Sequence, residues 1–461
     1  MTTFLQRKCV LFCAIFLILN NLQAQKHYYT LSQLVNASQA YLPLLKQQQS
    51  IINSAQANVT DVKHSFLPQL KISDEINIGT DNSAAGAYLP IITIPSASGG
   101  IRANNNYQPV TGNIGILYGE YELANFGLTN AKIKAAESLV SFQKSNYEKQ
   151  LYEIKLQVCQ LYFNLLQNKY RLLIDKQNIN RYNTIFTVIQ SLAASGIKAG
   201  ADSSLAKAEL SSTKISYNQT LGRIETLKQQ LAYLTGISSV QINIDTLQNT
   251  SLNNSFLPNL LFDSVSNPLI DFYSKKKNIF LSNETLIKKS YLPKVTLGAT
   301  TWARGSSIFY NDDYKSLANG LGYQRFNYLV GVGITYNLFN GIHKKDKLNI
   351  NRYEIQASDF ELQQQKLALQ SASLQADETL KTTLQNLTEL PIQLNAAQDV
   401  YLQKQAQYKA GLITLIDLTN AAFVLYRSQT NYIETLSDWY AAKLNKAAAT
   451  GNLDLFIQNI K

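Results

Sequence analysis

The sequence is poor in the residues that build disulfides, metal sites and tight turns. Its 461 residues include only three Cys, three His and nine Pro. Cys9 and Cys13 lie in the N-terminal segment, which leaves Cys159 alone in the rest of the chain and excludes an intramolecular disulfide there. The three histidines are scattered along the chain. We therefore expect no His-based metal site and no cofactor.

Long apolar runs are absent beyond the N-terminus. Residues 1–24 carry Arg7 and Lys8 ahead of an apolar run from Cys9 to Leu19. This order is typical of a secretory signal peptide, and the run is too short to span a membrane. No later stretch approaches eighteen apolar residues. We predict an exported protein whose mature chain has no transmembrane helix.

The excess of positive charge does not indicate a nucleic-acid partner. The formal net charge is +11, but the Lys and Arg residues are spread through helical stretches. Such a distribution is typical of solvated helix faces. The sequence also lacks a phosphate-binding loop, a nucleophile elbow and a Cys/His pair. We predict that the protein is not an enzyme and binds no nucleic acid.

What the sequence does contain is one unit in two copies. Pro43 and Pro68 recur 225 residues later as Pro268 and Pro293. The spacing between the copies then decreases once by ten residues, between the Leu-Pro motif and Tyr121. From there on, matching positions recur 215 residues later: Tyr121/Tyr336, Gly196/Gly411, Asp202/Asp417, Tyr217/Tyr432 and Gly236/Gly451. Such a repeat predicts two structurally similar halves.

Each copy contains two segments of alternating apolar and polar residues, which predict four strands of about ten residues. The second and third segments follow the pattern less cleanly, through Ile114, Ile116 and Tyr118 and through Val295, Leu297 and Ala299. Long polar loops (residues 80–109 and 305–325) separate the strands within each pair. We predict that the apolar faces of the outer two strands contact lipid through Leu70, Ile72, Ile76, Ile78, Val330, Val332 and Ile334.

Very long helices follow the strands. The 68 residues between Gly127 and Gly196 contain no Gly or Pro, enough for a helix of roughly 100 Å. Between Gly341 and Gly411 the only breaker is Pro391, which predicts a kink. A returning helix of about half the length follows each glycine, and an opening helix, such as residues 31–63, has the length to fill the other half.

Four amphipathic strands do not close into a barrel. Open sheet edges are not tolerated in lipid, so neighbouring copies have to supply the missing strands. Two copies would give eight strands with an interior filled by side chains, whereas three give twelve strands and a lumen. Long loops, and tyrosines near the strand ends, favour this barrel over a soluble sandwich. Polar and Gly residues at the inward positions favour three copies.

Taken together, these motifs resemble the TolC-like outer membrane efflux proteins. The resemblance covers residues 30–451 and rests on the doubled Leu-Pro motif before a strand, on Tyr-x-Leu before a long helix and on Gly-x5-Asp at the helix turn. It implies an α+β membrane protein that forms a homotrimer, with a 12-stranded barrel in outer-membrane lipid and an α-helical tunnel in the periplasm. It also implies a periplasmic adaptor (membrane fusion) protein and an inner-membrane pump as partners in tripartite efflux or type I secretion.

The resemblance also implies roles for the two helix turns, at residues 196–202 and 411–417. The residues expected to dock the adaptor are Ser195, Gly196, Ile197, Ala410, Gly411 and Leu412. The residues expected at the pore constriction are Asp202, Asp417, Asn420 and Tyr408. Three Asp417 carboxylates would attract cations, raise one another's apparent pKa and invite divalent binding. Asn420 and Ile413 stand where one well-known member of the family has an Asp and an Arg, so the resemblance implies a reduced salt-bridge network at the tip.

The same residues have simpler interpretations. Each glycine also fits a plain helix C-cap, and each Asp fits the N-cap of the returning helix. A periplasmic adaptor, or a coiled-coil envelope scaffold without a pore, is the alternative function.

The predicted organisation is a signal peptide (1–24), a first repeat (25–236, hairpin 66–123), a linker (237–264), a second repeat (265–451, hairpin 291–338) and a tail (452–461).

Overall fold

A computed structural model describes residues 28–83, 101, 103–196, 199–245 and 267–460. The predicted signal peptide, Ile197, most of the linker and the middle of the loop at 80–109 lie outside these ranges. The chain divides into two compact units. The helical unit comprises Met1–Ile51, Phe142–Lys275 and Asp359–Lys461, and the sheet unit comprises Ile52–Ser141 and Lys276–Ser358. Each unit draws segments from both predicted repeats.

The helices and strands follow the predicted order. The helices are α1 (Leu31–Tyr41), α2 (Pro43–His64), α3 (Leu128–Ala194), α4 (Gly200–Thr235), α5 (Pro268–Ser290), α6 (Asn340–Lys409), α7 (Leu415–Ala449) and α8 (Leu453–Asn459). The strands are β1 (Gln69–Gly79), β2 (Val110–Ala124), β3 (Lys294–Ser306), β4 (Ile308–Phe309), β5 (Asp313–Tyr314) and β6 (Arg325–Thr335). None of the described helices is long and apolar enough to cross a membrane.

The sheet unit is built on one four-stranded sheet in the order β1-β2-β3-β6. All three neighbouring pairs are antiparallel. The outer strands β1 and β6 have no further strand beside them among the described residues, and every residue in both is exposed. Within the described ranges, the sheet therefore has two open edges.

The faces of the sheet agree with the predicted alternation in three strands and differ in β2. Paired residues share a face, and Val330 pairs with Ala299 as the pattern predicts. In β2, however, Ile116 pairs with Ser73, and Leu117 pairs with Ile72. Ile114, Ile116 and Tyr118 therefore lie on the polar face, contrary to the expectation. In this part of β2, apolar residues occur at both even- and odd-numbered positions. Only the pairing with β1 therefore decides which residues face which side of the sheet.

The connection between β3 and β6 is more ordered than a plain loop. It contains the short β4–β5 pair and folds over β1 and β2. The Asn113 Nδ2 atom donates to the Leu321 carbonyl at 2.8 Å, and the Tyr323 hydroxyl donates to Asp74 at 2.8 Å. The sequence signal for this packing was weak, because the polar residues of β2 that hold the segment resemble surface positions.

The opening helix is broken, where the sequence predicted one helix over residues 31–63. Leu42 adopts an extended conformation between α1 and α2. The cause is Pro43, which disfavours helical geometry in the residue before it but suits the first turn of the next helix. A capping box between Thr30 and Gln33 fixes the start of α1.

The long helices pack through regularly spaced small and apolar residues. α3 extends unbroken over 67 residues, and α6 runs for 70 residues through Pro391. The buried face of α6 repeats every seven residues, which is the spacing of a coiled-coil seam: Leu369, Ala376, Thr383, Leu390 and Ala397. Returning helices α4 and α7 supply the facing side chains in the helical unit.

A large apolar cluster forms the core of the helical unit. It joins α1, α3, α4, α7 and α8 through fully buried residues that include Leu31, Val158, Leu231, Leu444 and Leu453. Cys159 lies in this cluster as a free thiol with no exposed surface, as the sequence predicted. Burial raises the pKa of its thiol to about 12. The thiol is therefore protonated and unreactive near neutral pH.

Candidate functional site

The second helix turn joins α6 to α7 and is stabilised by a Schellman motif. Gly411 has a φ of +75°, a conformation that glycine adopts without a steric penalty. Its N–H donates to the Tyr408 carbonyl at 3.0 Å, and the Leu412 N–H donates to the Gln407 carbonyl at 2.9 Å. These two bonds satisfy carbonyls that the end of α6 leaves without helical partners. Gly411 therefore does serve as a helix C-cap residue.

A capping box fixes the start of α7. The Thr414 hydroxyl accepts from the Asp417 N–H at 3.3 Å. One Asp417 carboxylate oxygen accepts from the Thr414 N–H at 3.0 Å and from the Thr414 hydroxyl at 2.6 Å. Asp417 is thus the third residue of the helix, and Thr414 is the N-cap. The interpretation of Asp417 as the N-cap is wrong, because the hydroxyl three residues earlier occupies that position.

These hydrogen bonds favour the ionised form of Asp417 within one chain. Donation by the Thr414 hydroxyl, and then by the Thr414 N–H, lowers the pKa of the Asp417 carboxyl below its ordinary value of 3.8. Lys404 contributes in the same direction. The expectation from the sequence was a raised pKa, caused by like charges from three copies. The hydrogen bonds of the capping box act in the opposite direction.

The first helix turn also contains a glycine with positive φ, but no side chain caps the helix that follows it. Gly196 has a φ of +70°, and its N–H donates to the Ala193 carbonyl at 3.1 Å. α4 then begins at Gly200 with Ala199 as its N-cap, and no side chain caps the helix. Asp202 is again the third residue of the helix, so the N-cap interpretation is wrong here as well. Its N–H donates to the Ala199 carbonyl at 3.1 Å.

An apolar cluster close to the turns holds the four long helices together. Tyr408 is buried in this cluster, with 4% of its surface exposed. Burial, followed by the negative charge of Asp202, raises the pKa of the Tyr408 hydroxyl. The structure therefore brings Tyr408 and Asp202 within electrostatic range of each other. The remaining members of the cluster include Tyr182, Ile189, Ala206, Tyr401, Leu415 and Leu418.

The residues predicted to contact an adaptor are accessible wherever the structure describes them. Ser195, Gly196, Ala410, Gly411 and Leu412 are all exposed. A Cβ atom added at either glycine would meet no atom within 4 Å. Leu412 is a large apolar side chain that is 75% exposed. The turns can therefore accept a closely approaching partner, although the docking role itself stays a prediction.

The predicted constriction residues divide into two environments. Asp417 and Asn420 are exposed, Asp202 is half-buried and Tyr408 is buried. In a single chain, Asp417, Asn420 and Asp202 can therefore present polar groups to solvent, whereas Tyr408 cannot. A pore-lining role for these residues remains a prediction.

Sequence reasoning missed a buried carboxylate that links three helices. Asp175 in α3 is 1% exposed. It accepts from the Thr220 hydroxyl of α4 at 2.6 Å and from the Tyr426 hydroxyl of α7 at 2.7 Å. The only signal was an acidic residue inside the apolar run "RLLIDK". These bonds tie the returning helices of both predicted repeats to the first outgoing helix.

Comparison with known proteins finds one matching family. A family model described as outer membrane efflux protein matches residues 34–237 and 285–452. No curated protein is significantly similar to the chain.

Solved structures share the fold at low sequence identity. The CmeC outer membrane channel of Campylobacter jejuni is 16% identical with a TM-score of 0.74, and the alignment covers 92% of this chain and 86% of CmeC. The outer membrane protein VceC of Vibrio cholerae is 15% identical with a TM-score of 0.72, covering 91% of this chain and 96% of VceC. The open-state MtrE channel of Neisseria gonorrhoeae is 15% identical with a TM-score of 0.67, and the alignment covers 92% of this chain and 89% of MtrE.

Proposed function

Because the chain belongs to the outer membrane efflux protein family, we propose that three copies of it form the exit duct of a tripartite efflux or type I secretion system. Members of this family are channel proteins of the outer membrane that extend into the periplasm, and they are not enzymes. The duct conducts passively. It receives its substrates from an inner-membrane pump through a periplasmic adaptor.

The open sheet is the observation that carries the proposal. Among the described residues no further strand pairs with the outer edges of β1 and β6, and the seven apolar side chains predicted to face lipid are all exposed in the single chain. A sheet in a membrane has to close, because unpaired N–H and C=O groups are costly in hydrocarbon. Pairing β6 of one copy with β1 of the next satisfies both edges. Three copies give twelve strands around a lumen.

The duplication gives each copy two helical hairpins for the tunnel. In this proposal the first repeat (25–236) and the second repeat (265–451) each contribute a strand pair and one helix turn. The six turns of the trimer form the tip that contacts the adaptor. The exposed Gly196 and Gly411 backbones support this role, because a bare backbone allows another helix to approach closely.

A pair of charged substitutions on the predicted lipid face tests the assembly. Val330→Arg together with Val332→Arg should prevent trimer formation, because Arg at the middle of a bilayer costs roughly 2 to 4 kcal/mol per site. Asn327→Arg, on the opposite face of the same strand, is the matched control and should assemble normally. Native mass spectrometry of detergent-extracted outer membranes measures the yield.

The same measurement separates the rival functions. The wild-type protein should require detergent for extraction and should run as a trimer that resists SDS without heating. An adaptor or a pore-free scaffold would be released without detergent. Normal trimer yield from the double Val variant would contradict the facing of β6.

A further inference from the structure

Two arginines stand directly opposite each other at the end of the sheet where the β1–β2 and β3–β6 connections lie. Arg304 of β3 pairs with Arg325 of β6 in the antiparallel register. Residues opposed in this way have Cβ atoms about 4.5 to 5.5 Å apart, and like charges at such positions are destabilising. The pairing is therefore unfavourable for the sheet itself.

No carboxylate compensates for the two charges in the part of the chain that the structure describes. Both side chains are exposed, and neither forms an ion pair there. Glu75 lies in the same cross-strand row, but β2 separates it from Arg304, and its carboxylate accepts from the Asn77 Nδ2 atom at 2.8 Å. The residues of this unit that lie outside the described ranges, 84–100 and 102, include no Asp or Glu.

Both arginines lie on the face of the sheet opposite to the predicted lipid face. Side chains alternate along a strand, so residues an odd number of positions apart face opposite sides. Arg325 is five residues from Val330, and Arg304 is five residues from Ala299, which pairs with Val330. In the proposed trimer this face lines the lumen, where both guanidinium groups remain in contact with water.

The side chain of Gln324 holds the backbone next to the pair. Its Nε2 atom donates to the Ser306 and Asn319 carbonyls, both at 3.0 Å, and the Gln324 N–H donates to the Arg304 carbonyl at 2.8 Å. The two arginine side chains therefore extend from a backbone that is already ordered. An ordered backbone reduces the conformational freedom that a site loses when it binds a ligand.

Two adjacent guanidinium groups match the charge and geometry of an oxyanion. A guanidinium is planar and always charged, and it donates two parallel N–H groups to a phosphate or a carboxylate. A second guanidinium beside it doubles the charge, which favours a dianion over a monovalent anion. The next pair on the same face, Trp302 and Asn327, is uncharged. The positive charge is therefore concentrated at one level of these two strands.

We propose that Arg304 and Arg325 form a binding site for a doubly charged oxyanion of the phosphate or sulfate type, carried by an exported solute. The proposal rests on the trimer proposed above, in which three copies place six guanidinium groups around one level of the lumen. Rings of Arg side chains favour anions in pores. The site gives the barrel a preference for anionic solutes and thereby names a substrate class for the duct.

Single-channel recording of the purified trimer tests the site with inorganic sulfate as the probe. Bilayers of phosphatidylcholine carry no net charge, so an anionic headgroup is excluded as the ligand. Sulfate added to a chloride solution at constant ionic strength should block the wild-type conductance in a saturable manner. Arg304→Gln and Arg325→Gln should each lower the apparent affinity for sulfate about tenfold, since each removes a charged hydrogen-bond donor.

Three further variants separate a paired site from diffuse charge. Lys71→Gln removes one positive charge from the same face, where Lys71 pairs with Tyr118, and it should leave the sulfate affinity unchanged. Arg304→Lys keeps the charge but loses the planar fork, so its affinity should be intermediate. The double Gln variant should lose little more than either single variant, because both groups act on one ligand.

Each alternative has its own outcome. Equal block of the wild type and both Arg→Gln variants would overturn the site and leave the duct intact. An equal loss with Lys71→Gln would assign the effect to diffuse lumen charge, which also overturns the site. Absence of an SDS-resistant wild-type trimer would refute the proposed duct together with the site.

Thermal dissociation of the SDS-resistant trimer provides a second measurement. Replacing either arginine by Gln relieves the repulsion between like charges, so the dissociation temperature should stay the same or rise. If Glu75 of the next copy neutralised Arg325 instead, Arg325→Gln and Glu75→Gln would both lower that temperature. Such a result, with unchanged sulfate block, would replace the anion site by an ion pair between copies.

Discussion

The two helix turns share a glycine with positive φ and a carboxylate six residues later, and they differ in the N-cap residue of the returning helix. Gly196 and Gly411 both adopt positive φ, and the carboxylate six residues later is the third residue of the returning helix in both turns. The N-cap is Thr414 in the second turn and Ala199 in the first. The positions of the glycine and the carboxylate are therefore the same in both turns, while the N-cap residue decides whether a hydroxyl donates to that carboxylate.

The difference has consequences for the two carboxylates. Asp417 is exposed, and two hydrogen bonds from Thr414 orient its carboxylate, while the Asp417 N–H donates to the Thr414 hydroxyl. Asp202 has no hydroxyl at the N-cap, is half-buried and acts on the buried Tyr408 hydroxyl. We expect the second turn to present a rigid charged surface and the first turn to depend more on its packing.

The largest expected effect comes from adding bulk to the second turn. Gly411→Trp should abolish export while leaving trimers intact, because the space around Gly411 is open and the ring would block a partner rather than disturb the fold. Tolerance of the strain to exported drugs, and the unheated SDS band, measure the two properties.

The control separates bulk from backbone strain. Any side chain at φ +75° carries a penalty of roughly 1 to 2 kcal/mol, and Asn tolerates this region best. Gly411→Asn should therefore retain most export. Unchanged drug tolerance with Gly411→Trp would remove the docking role of this turn. The equivalent Gly196→Trp variant shows whether both turns dock equally.

A smaller effect is expected on ion selectivity. Asp417→Asn should lower the cation selectivity of single channels, since three exposed carboxylates would be lost from the tip. This substitution also weakens the capping box, so Thr414→Ala is the control that keeps the charge. If Asp417→Asn leaves the reversal potential unchanged, Asp417 is a capping residue without a role in conduction.

The local features of the fold could be predicted from the sequence. The facing of β2 and the hydrogen bonds of the site could not. Strand and helix periodicity, and the glycines at 196 and 411, were visible because each depends on residues close together in the chain. The face of β2 was misassigned because Ile116 and Leu117 are adjacent and both apolar. Only the hydrogen-bonded register with β1 distinguishes them.

The site was less predictable because it depends on contacts between distant residues. The six-residue spacing from glycine to Asp was evident, but it does not tell an N-cap from the third helical residue. Thr414 was the local signal that decides this, since a hydroxyl followed three residues later by a carboxylate is a capping-box pattern. The Asp175 network joins residues up to 251 positions apart, which no local pattern reveals.

Exchanging the N-cap residues should reverse the difference in stability between the two turns. Thr414→Ala should destabilise the start of α7 by about 1 kcal/mol, and Ala199→Thr should stabilise the start of α4 by a similar amount. Local opening is best measured by hydrogen exchange of the amides in each turn, where 1 kcal/mol corresponds to about a fivefold change in protection. Equal protection in wild type and both variants would show that the capping box contributes nothing to stability.

The smallest expected effect is the pH dependence of the second turn. Because hydrogen bonds from Thr414 lower the pKa of Asp417 below 3.8, the ionised form stabilises the folded turn. That contribution is fully present above 3.8 and is lost as the pH falls through the lower, folded-state pKa. Protection of the turn amides, corrected for intrinsic exchange, should therefore be constant from pH 7 to 5 and decrease below about pH 4 in the wild type. Asp417→Asn cannot titrate and should show no decrease of this origin. A parallel decline in both proteins would assign the pH dependence to other carboxylates, and the two turns would then differ in structure without differing in their response to acid.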